Sequence, residues 1–150
     1  DQMKKTLVST KDPKGVGLAA PQIGTSLRVF ITKRYPSSPF SIFINPQILW
    51  KSEERTDGVP QRKNKLEGCL SVRDIWGTVH RAKTVRLSYQ TPDGKKHQRL
   101  FKGFMATLIQ HEMDHLEGVL FTQRVLEQKE KLYKLTQDEN GKEVFEKIEL

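Results

Sequence analysis

Only one cysteine occurs in the 150 residues, so no internal disulfide bond can form. No apolar run is long enough to cross a membrane, and the N-terminus lacks the pattern of a secretory signal peptide. Repeats and low-complexity segments are also missing. These absences exclude a disulfide-stabilised secreted domain and a helical membrane protein, and they are consistent with a protein of the reducing cytoplasm.

Acidic residues are in the minority, with 18 against 26 basic ones, which gives a net charge of +8. Such a balance attracts polyanions loosely and says nothing about the fold. The basic residues are spread along the chain without interleaved aromatics, so no specific nucleic-acid partner is predicted. The length suits one domain with a substantial core, and residues 1–150 are therefore expected to fold as a single domain.

Four segments have the alternation, or the β-branched and aromatic content, that is typical of strands. They are 27–33, 41–50 and two hairpin patterns, 84–101 and 131–150, whose turns contain Pro92-Asp93-Gly94 and Asn140-Gly141. The charged stretch 51–65 is expected to be a surface loop. Residues 126–150 are thus predicted to be a tail with a hairpin, although 126–134 alone could be helical.

Two helices are predicted. In the first, QMKKTLVS, the side chains of Met3, Leu7 and Val8 lie on roughly one face, and the segment KDPKGVG that follows ends it. The second, GFMATLIQHEMDHLEG, has apolar residues at 104, 105, 108, 109, 113 and 116, which predicts burial along most of its length with Gly118 as its stop. These elements predict an α+β fold, in which small antiparallel β-sheets pack around the second helix.

The second helix carries the motif His111-Glu112-x-x-His115. Four residues apart on a helix, the two imidazoles project from one face and can bind one metal ion, while Glu112 can reach a water molecule there as a general base. The alternative is an ordinary helix with two hydrogen-bonded histidines. Burying both histidines with Glu112 and Asp114 on an apolar helix is costly without a partner, which favours a metal site.

A catalytic metal site usually takes a third protein ligand. The lone Cys69, in LEGCLS, is the candidate, because thiolates bind transition metals well and Gly68 lets the backbone approach closely. The alternative is a small buried apolar residue, which is the commoner role of a single cysteine. His80 and His97 lie in polar surroundings and are expected to be ordinary surface residues.

A glycine-containing segment, GVGLAAPQIG, spans residues 15–24. Gly15 and Gly17 permit an unusual backbone conformation or the close approach of a bound peptide. The segment is not a nucleotide-binding loop, since it has neither G-x-G-x-x-G nor a following Lys-Ser/Thr. The alternative is a tight turn packed on the core, with Gln22 incidental.

Three stretches together resemble the motifs of the peptide deformylases, complete and in the family's order. They are Gly15-Val16-Gly17-Leu18-Ala19-Ala20-Pro21-Gln22, Glu67-Gly68-Cys69-Leu70-Ser71 and Gln110-His111-Glu112-Met113-Asp114-His115-Leu116-Glu117-Gly118. That family removes the N-terminal formyl group from new bacterial and organellar polypeptides. The resemblance covers roughly residues 1–125 and implies a metal-dependent hydrolase that acts on formyl-methionyl nascent chains and releases formate.

The resemblance also implies a role for individual residues. Cys69, His111 and His115 would bind the metal, and Glu112 would be the general acid and base. The Gln22 side-chain amide and the Leu70 backbone N–H would hold the oxyanion. Substrate-binding positions would be Val16, Gly17, Glu67, Phe104 and Leu108, the last two beside the methionine side chain. Arg81 matches an arginine that pairs with Glu67, and Asp114 belongs to the family's form of the histidine motif.

The implied cofactor is one divalent metal, ferrous iron, with zinc, nickel or cobalt as substitutes. A thiolate donates more charge than a carboxylate, so this metal is expected to be a softer Lewis acid than the zinc of ordinary peptidases. In the implied mechanism, water activated at the metal attacks the formyl carbon. Gln22 and Leu70 stabilise the oxyanion, and Glu112 passes the proton of the water to the leaving amine.

Three departures from the family pattern limit what can be carried over. Family members have a further N-terminal strand and most of a helix before the first motif, so that region is expected to be missing. Trp76 stands where many members have an arginine that touches the substrate backbone, so contacts beyond the first residue are expected to differ. The tail predicts a hairpin rather than the long helix that docks some bacterial forms on the ribosome, which leaves transient ribosome association supported by net charge alone.

Two other functions compete with this hypothesis. A zinc endopeptidase would need a further His, Asp or Glu ligand downstream and would leave Cys69 and GVGLAAPQ unexplained. A basic module that binds ribosomal RNA would use the metal only for structure, and a structural site would have four protein ligands where three are found.

Overall fold

The computed structural model describes residues 1–10 and 15–149, so the first four residues of the break expected at 11–17 lie outside the described residues. The described chain contains three α-helices, one short 3-10 helix (Ala20–Ile23) and nine strands. The helices are α1 (Gln2–Ser9), α2 (Phe104–Leu116) and α3 (Phe121–Glu127). The strands are β1 (Gly17–Ala19), β2 (Val29–Thr32), β3 (Ser41–Lys51), β4 (Glu67–Cys69), β5 (Val72–Gly77), β6 (Thr84–Gln90), β7 (Lys96–Lys102), β8 (Leu132–Gln137) and β9 (Glu143–Lys147).

The strands form two antiparallel sheets. One has the order β1-β2-β3-β6-β7 and the other the order β4-β5-β8-β9. Strands β1 and β4 are therefore edge strands of their sheets, and each leaves backbone groups without a neighbouring strand on one side. The two sheets and the central helix confirm the predicted α+β fold.

Helix α2 is buried because its apolar residues face the larger sheet. Ile109 is fully buried and packs with Phe30, Phe43 and Leu87 in one core cluster. The rings of Phe30 and Phe43 stack with centroids 4.6 Å apart. Gly118, two residues beyond the end of the helix, has φ +74°, a conformation that ends helices and suits glycine.

The smaller sheet has its own apolar cluster with α3. Its buried members are Val79, Phe121, Val125 and Leu132. Helix α3 and the β4–β5 hairpin have no counterpart among the sequence predictions. Helix α3 has only seven residues, and β4 only three, so neither is long enough to show a clear hydrophobic period.

Helix α1 covers one end of the larger sheet through a narrower apolar face than its sequence indicates. Leu7 is buried and Met3 packs beside it, against Leu18 and Ile31. Val8 is 49% exposed, because it lies a further 100° or so around the helix from Leu7. The face is thus set by residues four apart, Met3 and Leu7.

The predicted surface loop 51–65 is not exposed throughout. Val59 and Thr56 are only 3% and 6% exposed, and Arg55 forms an isolated antiparallel bridge with Ala82.

Among the residues that the structure describes, no helix is both long and apolar enough to cross a membrane.

His80 joins this loop to the segment before the C-terminal hairpin. One ring nitrogen lies 2.7 Å from the Thr56 carbonyl oxygen and the other lies 2.9 Å from a Glu130 carboxylate oxygen. The backbone N–H and carbonyl of His80 also bond the Gln128 side chain. His80 therefore makes tertiary contacts, although its side chain is about one-third exposed.

The contact of His80 with Glu130 is expected to stabilise the fold in a pH-dependent way. Hydrogen bonds to Glu130 and Thr56 raise the pKa of His80. The stabilisation is therefore full below the unfolded-state value of about 6.5 and is lost as pH rises through the higher folded-state pKa. Glu130→Gln should lower the thermal midpoint most near neutral pH and below, and least in alkaline buffer.

The matched control is Glu139→Gln, which removes the same charge in the exposed β8–β9 turn. Its thermal midpoint should follow that of the parent at every pH. A Glu130→Gln effect of constant size across the pH range would contradict the assignment to His80.

Candidate metal centre and catalytic cleft

The side chains of Cys69, His111 and His115 meet at one point, although the cysteine lies more than 40 residues before the histidines. The histidines project from α2, and Cys69 is the last residue of β4. The Cys69 Sγ lies 3.2 Å from His115 Nε2, which lies 3.3 Å from His111 Nε2. All three ligand atoms lie within 4.8 Å of one another. Among the described residues, they are the one group of His, Cys, Asp and Glu side chains with this spacing.

These separations fit a shared metal ion. Tetrahedral coordination with ordinary metal–nitrogen and metal–sulfur bonds holds neighbouring ligand atoms about 3.3–3.6 Å apart. The two histidines are 9% and 7% exposed, so both imidazoles are shielded from bulk water, whereas Cys69 is partly exposed. Cys69, His111 and His115 could therefore hold a divalent transition metal.

The cluster keeps its cysteine ionised. Burial raises the pKa of the Cys69 thiol, but hydrogen bonds and charge from His111 and His115 lower it to about 5. Burial lowers the pKa of His111, and the neighbouring Glu67 carboxylate raises it to about 10. The thiolate is the form that binds metals, whereas His111 must lose a proton to do so, which makes metal affinity fall in acid.

A buried ion-pair network fixes His111 against the Cys69 strand. The Glu67 carboxylate, two residues before Cys69, accepts a hydrogen bond from His111 Nδ1, which leaves Nε2 for a metal. Arg81 donates to both oxygens of Glu67, at 3.0 and 2.7 Å, and to Asp114 at 2.9 Å. These charges hold the pKa of Glu67 well below its usual range, although burial alone would raise it.

Glu112 faces the cleft from the same helix. It is 1% exposed, and one of its carboxylate oxygens, Oε2, has no hydrogen-bond partner among the described residues. Burial raises the pKa of Glu112 to about 7, against the opposite effect of His111 and His115. A Cβ atom at Gly17 would lie 2.9 Å from that oxygen, so the close approach of β1 to Glu112 requires glycine.

Gln22 reaches the metal cluster from the opposite wall. It lies on the 3-10 helix, and its side-chain Oε1 accepts a hydrogen bond from the Ala19 N–H at 2.8 Å. This bond fixes the amide so that Nε2 donates to Ser71 Oγ at 2.9 Å and lies 3.7 Å from Cys69 Sγ. Leu70 follows Cys69 directly and lines the same cleft.

The structure brings the predicted site residues into one cleft. Val16, Gly17, Glu67, Phe104 and Leu108 all line it, together with Cys69, His111 and Glu112. His115 does not line the cleft itself and reaches the cluster from behind Cys69 and His111 through its Nε2 atom. Arg81 and Asp114 lie behind His111 rather than in the cleft. Four further residues line the cleft without having been singled out as site residues by a motif, namely Val59, Arg62, Trp76 and Thr107.

Comparison with known proteins decides the family. The family model described as polypeptide deformylase matches residues 1–131. The chain belongs to the polypeptide deformylase family. A peptide deformylase from Novosphingobium aromaticivorans is 41% identical, with 81% of this chain and 75% of that protein covered. One from Pseudothermotoga lettingae is 44% identical, with 71% of this chain and 57% of that protein covered.

A solved structure gives the same result. The Met-Ala-Ser-bound class I type b peptide deformylase from Acinetobacter baumannii has a TM-score of 0.67 and is 40% identical, with 82% of this chain and 79% of that chain covered. This chain thus spans between 57% and 79% of the length of these three relatives. Polypeptide deformylases are metal-dependent hydrolases that remove the formyl group from the N-terminus of nascent polypeptides.

The buried ion-pair network of this chain is expected to dominate the stability of the site. Arg81→Gln leaves two largely buried carboxylates without their shared cation, a change that costs about 3 kcal/mol of unfolding free energy. Urea denaturation of metal-free protein measures the loss. Arg28→Gln is the matched control, because Arg28 forms an exposed pair with Glu117 at 3.0 Å.

The control substitution should change the free energy of unfolding by less than about 1 kcal/mol. Equal losses in the two variants would show that the buried network is no more stabilising than a surface ion pair.

Proposed function

We propose that this chain removes the N-terminal formyl group from formyl-methionyl nascent polypeptides and releases formate. The observation that carries the proposal is that a Cys-His-His cluster lies beside a buried Glu112 carboxylate oxygen with no hydrogen-bond partner among the described residues. Amide hydrolysis needs an activated water, a proton carrier and a site for the oxyanion, and each has a candidate here.

Cys69, His111 and His115 are the proposed ligands of one divalent metal. We favour ferrous iron, with zinc, nickel or cobalt as substitutes, because a thiolate with two imidazoles suits these borderline metals. When bound, such an ion supplies the Lewis acidity that makes water nucleophilic at neutral pH. Glu67 and Arg81 hold His111 in the orientation that leaves its Nε2 for the ion.

Glu112 is the proposed proton carrier. Its Oε2 atom is buried and has no hydrogen-bond partner in the part of the chain that the structure describes, so it can accept a proton from water in the cleft and then donate it to the leaving amine. A general acid and base works best when its pKa lies near the working pH, and burial moves Glu112 in that direction.

Gln22 and Leu70 are the proposed oxyanion donors. Gln22 supports this role because the Ala19 N–H already holds its Oε1 atom, so the amide presents Nε2 towards Cys69. Donors that are fixed before the reaction cost no reorganisation when charge develops on the formyl oxygen.

The edge strand β1 is the proposed binding edge for the peptide. Val16 and Gly17 lie where β1 lines the cleft, and a peptide in extended conformation can add to an exposed edge by backbone hydrogen bonds. Phe104 and Leu108, one turn apart on α2, are the proposed wall for the methionine side chain.

The proposed substrate also defines the partners and the location. Formylated nascent chains emerge from ribosomes, so we propose action in the cytoplasm and transient association with the ribosome, to which the net charge of +8 would contribute. A specific nucleic-acid partner and a membrane partner are not part of the proposal.

The test is hydrolysis of formyl-Met-Ala-Ser by protein loaded anaerobically with ferrous iron. Glu112→Gln should keep its metal and lose activity by a factor of about 100 or more, because it removes the proton carrier but no ligand. Cys69→Ser should lose both metal and activity. Metal content is measured by elemental analysis of the same samples.

Three results would count against the proposed function. Glu112→Gln activity equal to that of the parent would remove Glu112 from the mechanism. Cleavage of internal peptide bonds without deformylation would favour an endopeptidase. Full metal binding by Cys69→Ser would remove Cys69 from the ligand set.

A further inference from the structure

Arg62 and Trp76 form one wall of the catalytic cleft near its mouth. Both side chains line the cleft that contains Cys69 and Glu112, and both also line a shallower depression outside it with Lys63 and Asn64. They therefore lie where a peptide would pass between the reaction centre and solvent.

The loop that carries Arg62 is well braced. Val59 N–H donates to the Lys65 carbonyl at 3.0 Å, and Lys65 N–H donates to the Arg62 carbonyl at 3.2 Å. The Arg62 guanidinium donates to the Leu66 carbonyl at 3.1 Å. This bond holds the guanidinium in a defined position before any ligand arrives.

The Arg62 guanidinium lies over the aromatic ring of Trp76. The guanidinium lies 5.9 Å from the centroid of the Trp76 ring, within the range of a cation–π contact. A Cβ atom at Gly68 would lie 2.7 Å from the ring, so Trp76 packs directly on the backbone beside Cys69. Phe145, from the C-terminal hairpin, packs edge-on with the Trp76 ring, with centroids 5.9 Å apart.

Arg62 is a charge without an anionic partner. No carboxylate among the described residues forms an ion pair with it, and the nearby Glu67 is already bonded to Arg81 and His111. Arg62 is partly buried, and this burial lowers its pKa. A desolvated guanidinium with N–H donors to spare favours a further oxygen acceptor.

We propose that Arg62, oriented by Trp76, binds the part of the substrate peptide that follows formyl-methionine and selects for negative charge there. Arg62 donates to a carbonyl or carboxylate oxygen of the second or third residue, and the Trp76 ring packs against the peptide. The inference rests on the proposed deformylase function and adds a preference that the metal cluster and Glu112 cannot supply.

The first test compares two amidated substrates, formyl-Met-Ala-Glu and formyl-Met-Ala-Lys, which differ only in side-chain charge. The parent should prefer the glutamate peptide by about fivefold in kcat/KM, the size expected for a half-exposed charge pair. Arg62→Gln should make the two peptides nearly equal, through KM rather than kcat. Arg62→Lys should keep part of the preference, because it retains charge without the planar group.

The control is Arg86→Gln, which removes the same charge from the exposed face of the larger sheet. It should keep the selectivity of the parent. Thermal midpoints of all variants establish that each one folds. Unchanged selectivity in Arg62→Gln, or an equal loss in Arg86→Gln, would overturn the inference.

A second test measures binding without turnover. The chain has two tryptophans, and Trp50 is 52% exposed on the other sheet, so Trp50→Phe leaves Trp76 as the sole indole. Titration of this metal-loaded protein with amidated Met-Ala-Glu should change the Trp76 fluorescence at lower peptide concentration than Met-Ala-Lys does. Arg62→Gln in the same background should remove the difference.

The two tests separate failure of this inference from failure of the proposed function. A parent that deformylates both peptides equally, with equal fluorescence titrations, would keep the function and refute the role of Arg62. A parent that deformylates neither peptide would refute the function, and the titrations would still decide whether Arg62 selects for negative charge.

Discussion

The site depends on one physical interaction, the buried contact of Arg81 with Glu67 and Asp114. Glu67 belongs to the strand of Cys69, and Asp114 belongs to the helix of both histidines. Arg81 lies between the two carboxylates and offsets the cost of burying both of them in the ionised form. It therefore holds the strand of Cys69 against the helix of His111 and His115, so that the three proposed ligands are already close together.

The same interaction sets the electrostatics of the cluster. Glu67 is held as a carboxylate by Arg81, and its charge in turn orients and charges His111. His111 and His115 then stabilise the Cys69 thiolate. Glu112 lies outside this series of ion pairs. Burial therefore has a larger effect on its pKa than the neighbouring charges do, and the pKa is raised. The ion pairs thus run through Arg81, and Glu112, the proposed proton carrier, takes no part in them.

How far the sequence predicts this arrangement depends on the length of each element. Helix α2 was predictable because its apolar pattern repeats over more than two turns. The β6–β7 hairpin was predictable because its two strands flank a clear Pro-Asp-Gly turn. The β4–β5 hairpin was not, although β4 carries Cys69, since three residues give no period. Motifs identified which residues could meet, but the contact between Arg81 and Asp114 depends on tertiary packing that no local pattern encodes.

The cleft wall formed by Arg62 and Trp76 is a second feature that the sequence does not predict. Arg62 lies in a charged loop that composition assigns to the surface, yet Val59 in that loop is buried and Arg62 lines the cleft. Trp76 lies in a different segment, on β5, and its ring centroid is 5.9 Å from the Arg62 guanidinium. The guanidinium and the ring that orients it thus come from two segments that no single motif joins. Which side chains line the cleft therefore depends on how each segment packs, and composition alone cannot predict it.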